Sequence, residues 1–142
     1  MPDTMPPKVK REAMKLFLFN DDIKRLESVK GYIDSNLEKD LSIGVLATFL
    51  NTSQSTLRRH FTRYFQQTIY SYILKRRMEM AMVLLLSNEL SIKQTSKKVG
   101  YKRLTSFTHA FSKYFGHAPI YYLKSFDLKL TQSDDWTEFA NK

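Results

Sequence analysis

Leu57-Arg58-Arg59-His60-Phe61-Thr62-Arg63-Tyr64-Phe65 and Phe107-Thr108-His109-Ala110-Phe111-Ser112-Lys113-Tyr114-Phe115 are two versions of one pattern, fifty residues apart. Apolar and aromatic side chains stand at 57, 61, 64 and 65, and again at 107, 111, 114 and 115. At about 100° per residue each set falls on one side of a helix, so both segments are expected to be amphipathic helices with that side in a core. Upstream, Ser42-Ile43 matches Ser91-Ile92 at a spacing of 49, which makes the second turn one residue longer than the first. Short helix, turn, longer helix, written twice, is the layout of tandem helix-turn-helix units.

The opposite sides carry the functional signal. The first segment presents Ser55, Arg59, Thr62 and Arg63, flanked by Thr56 and Arg58; the second presents Thr105, His109, Ser112 and Lys113, flanked by Ser106 and Thr108. Both offer hydroxyls and cations, and neither offers a carboxylate. Phosphate oxygens and base edges need such donors, whereas an acid would be repelled by a phosphate backbone. An ordinary solvated helix face mixes Glu or Asp with Lys, so the missing acids favour duplex DNA as the ligand.

Working outward, residues 1–7 read as a leader, and residues 8–19 as a short helix ending in apolar Leu16–Phe19, which calls for a partner. Ile23, Leu26, Val29, Tyr32, Ile33 and Leu37 predict an amphipathic helix over 21–40. A short helix over 42–50 ends near Asn51, a residue tolerant of a left-handed turn, and Ser53 caps the next helix, which runs to about Gln66. Residues 69–86 form a long helix with Ile69, Ile73, Met80, Ala81, Leu84 and Leu85 on its buried side. Ser91 and Gln94 make a capping box for a fifth helix that Gly100 ends; a sixth runs from Leu104 to Phe115 before Gly116, and Pro119 opens a seventh through about Phe126. The polar tail, 127–142, has Trp136 as its one strong apolar anchor. The expected fold is all-α with about seven helices: a first unit over 21–67, a linker helix over 69–86 and a second unit over 91–126.

The formal charge of +9 is unevenly spread. Residues 41–126 hold thirteen basic residues against Glu79 and Glu89 alone, a net +11, while the flanks together carry −2. A basic block between nearly neutral ends is the footprint of a polyanion-binding surface. With no cysteine there are no disulfides and no thiolate metal sites, which fits a reducing compartment. No apolar run reaches the roughly 18 residues of a membrane span and no signal-peptide pattern opens the chain, so the expected location is the cytoplasm. His60, His109 and His117 lack metal-ligand spacing, and no Gly-rich phosphate loop or nucleophile motif occurs. No catalytic residue, metal, cofactor or small-molecule site is assigned.

The chain resembles the DNA-binding domain of the AraC/XylS family of bacterial transcription regulators over about residues 23–126. The resemblance rests on Ala47, Ser53, Leu57, Arg59 and Phe61 in the first unit, and on Tyr72-Ile73, Arg77-Met78, Ala81 and Leu84-Leu85 in the linker helix. In the second unit it rests on Ser91-Ile92, Val99-Gly100-Tyr101, Ser106-Phe107, Ala110-Phe111, Phe115-Gly116 and Pro119. It implies that the third and sixth helices enter successive major grooves, with double-stranded DNA and RNA polymerase as partners. Departures from the family pattern are Gln66 in place of Gly, Thr95-Ser96 in place of an apolar residue and Ala, His109 in place of Arg, Ala118 in place of a hydroxyl cap and Leu123 in place of Arg. Thr95 and Ser96 are expected to bond back to carbonyls one turn earlier.

On this reading Arg58 and Arg59 contact bases or phosphates in the first unit, and Thr105, Thr108 and His109 do so in the second. Arg63, Lys102, Arg103 and Lys113 mainly neutralise phosphates. About twenty residues precede the first unit, too few for an effector domain, so the chain is expected to act as a monomer or to be a fragment of a larger regulator. The rival reading is a helical protein-interaction module, an antagonist of a regulator or a polymerase-binding protein that never touches DNA. A basic RNA-binding protein is a second rival.

Overall fold

The computed structural model describes residues 6–123, with the side chains at 15, 17 and 18 excepted. Residues 1–5 of the 1–7 leader, Lys124, the expected end of the seventh helix and the tail with Trp136 lie outside the described residues. Six helices follow in order: α1 Pro7–Ser35, α2 Ile43–Leu50, α3 Gln54–Phe65, α4 Ile69–Leu86, α5 Ile92–Lys98 and α6 Leu104–Phe115. Residues 119–123 are helical again, opening at Pro119 as expected. Among the described residues there is no strand.

The start of this order differs from the sequence expectation. Residues 8–19 and 21–35 are one helix of 29 residues, because Asn20-Asp21-Asp22 contains neither Gly nor Pro and nothing interrupts the hydrogen-bond ladder. The helix then stops at Ser35, five residues early. Asn36 leaves helical geometry at φ −137° and donates its side-chain amide to the Tyr32 carbonyl. Leu37, which continued the apolar period, is buried from the turn that follows and not from the helix.

The chain divides into two compact units. Of the described residues, one unit holds those up to Asn36 with Leu41–Tyr72, and the other holds Leu37–Asp40 with those from Ile73 on. In the first, Leu26, Val29 and Ile33 of α1 meet Leu46 and Ala47 of α2 and Leu57 and Phe61 of α3, all buried. Tyr72 donates its hydroxyl to Asp34 at 2.6 Å, and the Lys30 ammonium lies over the Phe65 and Tyr72 rings at 4.7 and 5.1 Å. Arg25 reaches from α1 to the Leu50 carbonyl at the end of α2.

In the second unit, Met78, Ala81, Leu85, Val99, Phe107 and Phe111 form a closed core. Of the side expected to be buried on α4, Met80 is exposed and Leu84 half-buried; Met78 and Tyr72 take the inner places. Helical period did not separate them, because Lys75, Arg76 and Arg77 are spread around α4 and leave it no single polar side. Arg77 fastens the Leu37–Asp40 turn, donating Nε to the Leu37 carbonyl at 3.2 Å and Nη2 to the Lys39 carbonyl at 3.0 Å. Burial pulls this guanidinium below its ordinary value, while Tyr101 and Asp40 oppose the shift, so it stays charged at neutral pH.

Thr95 and Ser96 are buried where the family pattern has an apolar pair. The expected back-bond is not made by Thr95: its Oγ1 has no hydrogen-bond partner among the described residues, and the Ser91 carbonyl one turn back receives the Thr95 amide at 2.9 Å. A buried hydroxyl without a partner costs desolvation that nothing returns. Thr95→Val keeps the shape and removes that cost, so it is expected to stabilise the second unit by about 1 kcal/mol. Urea denaturation of the two proteins checks this; a loss of stability would show that the hydroxyl is satisfied.

Candidate nucleic-acid interface

Serine caps and left-handed corners shape both units, although only α3 of the two longer helices has a side-chain cap. Ser42 caps α2 and Ser53 caps α3, with Ser53 Oγ accepting from the Thr56 amide at 3.1 Å. Ser91 and Gln94 form the reciprocal capping box on α5, at 2.9 and 3.1 Å. Left-handed residues close the equivalent corners. Asn51 (φ 54°) follows α2 and Gly100 (φ 99°) follows α5, while Gln66 (φ 59°) ends α3 and Gly116 (φ 92°) ends α6. Gln66 therefore makes the turn that Gly makes in the second unit. Its side-chain Nε2 donates to the Arg63 carbonyl at 2.8 Å, which offsets part of the left-handed strain.

These corners aim α3 and α6 with Leu57 and Phe61, or Phe107 and Phe111, fully inward. The inward stripe is narrower than the pattern suggested. Tyr64 and Tyr114 are 40% and 42% exposed, each edge-on to the neighbouring Phe65 or Phe115 at 4.9 Å between ring centres. They are amphipathic rim residues, partly packed and partly in water.

On the outward side of α3, Ser55, Arg58, Arg59, Thr62 and Arg63 are exposed, and Thr56 is half-buried with its hydroxyl accepting from Ser53 Oγ at 2.7 Å. On α6 and the turn before it, Lys102, Arg103, Thr105, Ser106, His109 and Lys113 are exposed. Thr108 and Ser112 are half-buried, and Thr108 turns its hydroxyl back to the Leu104 and Thr105 carbonyls, both at 3.1 Å. Its proton is thus used within the helix, and it can offer a ligand only acceptor capacity. Arg103 sits at the N-cap of α6 without capping it.

No acid neutralises these cations among the described residues. Glu79, one of the two acids in the basic block, is engaged on α4 by Arg76 at 2.9 Å and Lys75 at 3.9 Å. Each outward face is therefore an uncompensated positive surface with hydroxyls between the charges. Gln54 was left out of the sequence reading, yet it opens α3 beside Ser55 and is exposed. The available signal was positional, because recognition helices meet base edges with their first turns. Lys93, Lys97 and Lys98 of α5 are also exposed. No group of three or more His, Cys, Asp or Glu among the described residues is arranged to hold a metal ion.

A helix-turn-helix domain profile matches residues 46–125, more than half of the chain. The probable transcriptional regulator LumQ of Photobacterium leiognathi is 27% identical over 123 residues, spanning 84% of this chain and 48% of that protein. The chain thus spans about half the length of that relative. The C-terminal domain of AraT, a response regulator from Geobacillus stearothermophilus, superposes with a TM-score of 0.69 at 32% identity, covering 71% of this chain and 84% of that one. The DNA-binding domain of AdpA, a global transcriptional factor solved with a target DNA, shares the fold with a TM-score of 0.69 at 18% identity, over 76% of this chain and 97% of that one. With two capped helix-turn-helix units, two outward faces of cations and hydroxyls, and these likenesses in sequence and fold, the chain belongs to the AraC/XylS family of helix-turn-helix transcription regulators, which are DNA-binding proteins and not enzymes.

Proposed function

We propose that this chain reads a specific duplex sequence by inserting α3 and α6 into successive major grooves. The observation that carries the reading is the equivalence of the two faces: both are exposed, both are cationic and hydroxyl-rich, and both are free of carboxylates. Arg58 and Arg59, with Gln54 and Ser55 at the head of α3, contact bases and nearby phosphates in one half-site. Thr105, Ser106 and His109 do so in the other, with Thr108 as an acceptor. Thr62 and Ser112 on the same faces, with Thr56 at the flank, support these contacts, and Arg63, Lys102, Arg103 and Lys113 grip phosphates. Because α3 and α6 present different side chains, each chain is expected to protect an asymmetric site of two unlike half-sites. RNA polymerase is the protein partner this reading implies, and the cytoplasm its place of action; among the described residues no helix is long and apolar enough to cross a membrane.

Footprinting tests the proposal, with two contacted major grooves per chain expected and a single contacted groove counting against it. A gel-shift series on duplex DNA, single strands and structured RNA distinguishes it from a protein-interaction module and from an RNA binder. Salt dependence gives a further expected outcome. Arg63→Ala or Lys113→Ala should weaken specific and random duplexes alike and flatten the plot of log affinity against log salt by roughly one unit each. A changed sequence preference at an unchanged salt slope would instead assign that residue to base reading.

A further inference from the structure

The two helix-turn-helix segments carry their positive charge in different places and on different side chains. From α2 to α3, residues 43–65 hold Arg58, Arg59 and Arg63, all on α3, and no lysine or acid. From α5 to α6, residues 92–115 hold Lys93, Lys97, Lys98, Lys102, Arg103 and Lys113, again with no acid. Three of these six stand on α5, while the matching positions on α2, Gly44, Thr48 and Phe49, are uncharged. At about 100° per residue Lys93, Gln94, Lys97 and Lys98 fill one side of α5. All four are exposed, and Thr95 and Ser96 opposite them are buried. Glu89 is the nearest acid in the sequence, and no ion pair joins it to these lysines among the described residues.

The needs of α5 itself do not account for this charge. Lys93 stands in the first turn, where the helix dipole disfavours a cation, and no acid stands there to offset it. Lys97 and Lys98 suit the last turn, but α2 ends without a basic residue and is still a helix, so folding does not require them. Side-chain type gives a second indication. A guanidinium fork suits a base edge, and every cation from α2 to the end of α3 is arginine. An ammonium on a flexible stem is a point charge that suits phosphate, and five of the six cations from α5 to the end of α6 are lysine. In a helix-turn-helix unit the first helix crosses the DNA backbone while the second lies in the groove. Here α5 is that first helix, and the chain leads from it through Lys102 and Arg103 directly into α6. We propose that α5 is a phosphate-gripping surface with no counterpart on α2, on which Lys93, Lys97 and Lys98 hold the duplex backbone beside the groove that α6 enters. This rests on the reading of α6 as a recognition helix. It assigns sequence preference mainly to α3 and salt-dependent grip mainly to α5 and the turn after it.

Titration of the 142-residue chain against a duplex selected from a random pool, and against an unselected duplex, at several salt concentrations tests the proposal. Replacing Lys93, Lys97 and Lys98 together by Gln should flatten the plot of log affinity against log salt by roughly two to three units on both duplexes, and each single change by roughly one. The ratio of the two affinities should stay unchanged, since phosphates carry no sequence information. Gln keeps a helix propensity near that of Lys, and far-ultraviolet circular dichroism establishes that each variant is folded. The control replaces Lys8, Lys10 and Arg11 together by Gln, which removes the same charge from the exposed start of α1 and should flatten the slope by less than about one unit. Equal flattening by the two triple changes would overturn the proposal, because net charge and not contact would then set the slope. So would an unchanged slope. A lysine variant that keeps its DNA affinity but no longer holds RNA polymerase on the duplex would also overturn it, by assigning α5 to a protein partner. A wild-type chain with no preference for any duplex would overturn the reading of α3 and α6, and this proposal with it.

Discussion

Replacing Gly100 by Ala is expected to destabilise the second unit by roughly 2–5 kcal/mol, the sum of a left-handed backbone penalty and a steric one. Gly100 adopts φ +99°, and a Cβ added there would stand 2.3 Å from the Leu37 carbonyl oxygen and 2.8 Å from Arg77 Nη2. Neither neighbour is free to withdraw. The Leu37 carbonyl accepts from Arg77 Nε, and Arg77 also holds the Lys39 carbonyl. A methyl group would therefore have to break the fastening of the Leu37–Asp40 turn or distort the corner that aims α6. Gly116→Ala is the matched control. Gly116 is also left-handed, at φ +92°, but nothing lies within 4 Å of the added Cβ, so only the backbone penalty of about 1 kcal/mol applies. Denaturant unfolding of both variants separates the two contributions. Equal losses would mean that the close approach at Gly100 has no energetic weight.

The second large effect is expected on DNA. Arg59 is exposed on α3, is permanently charged and can grip a guanine edge with two hydrogen bonds, so Arg59→Ala should cost about 1–3 kcal/mol of specific binding and relax preference in one half-site. His109 has a similar place on α6, but an imidazole offers at most two N–H donors where a guanidinium offers five in a fixed fork. His109→Ala should therefore cost less than Arg59→Ala. Titrating wild type and both variants against one operator at fixed salt measures this. If the two losses are equal, α6 reads DNA as strongly as α3, and the histidine is no weakness.

Much of the architecture was visible in local chemistry. The Ser53 cap, the Ser91–Gln94 capping box, the left-handed Asn51 and the glycine stops at Gly100 and Gly116 are decided by a side chain and the backbone within a turn of it, and all are present in the structure. What α1 does at either end was not visible. The sequence pattern predicts a break at Asn20 and a helix to Asp40, whereas the helix runs unbroken through Asn20 and stops at Ser35; period alone does not say where the ladder begins or ends. Gln66 adopting the Gly conformation also escaped the pattern, because a side-chain bond to the Arg63 carbonyl compensates a cost that sequence statistics assign to every non-Gly residue.

The sequence by itself determined the repeat, the sign of the charge and the outward faces of α3 and α6. These follow from helical periodicity and from which residue types are absent, and neither depends on a distant neighbour. Only the tertiary structure decided which residues on those faces are fully exposed and which, like Thr56 and Thr108, are half-buried. It alone showed that Tyr64 and Tyr114 are rim residues, that the Thr95 hydroxyl is buried without a partner, and that Leu37–Asp40 packs with residues from Ile73 on. The reason is common to all of these. Burial, hydrogen-bond satisfaction and close backbone approach depend on what comes near from elsewhere in the chain, as Arg77 does to the Leu37 and Lys39 carbonyls, and no local pattern encodes that distance.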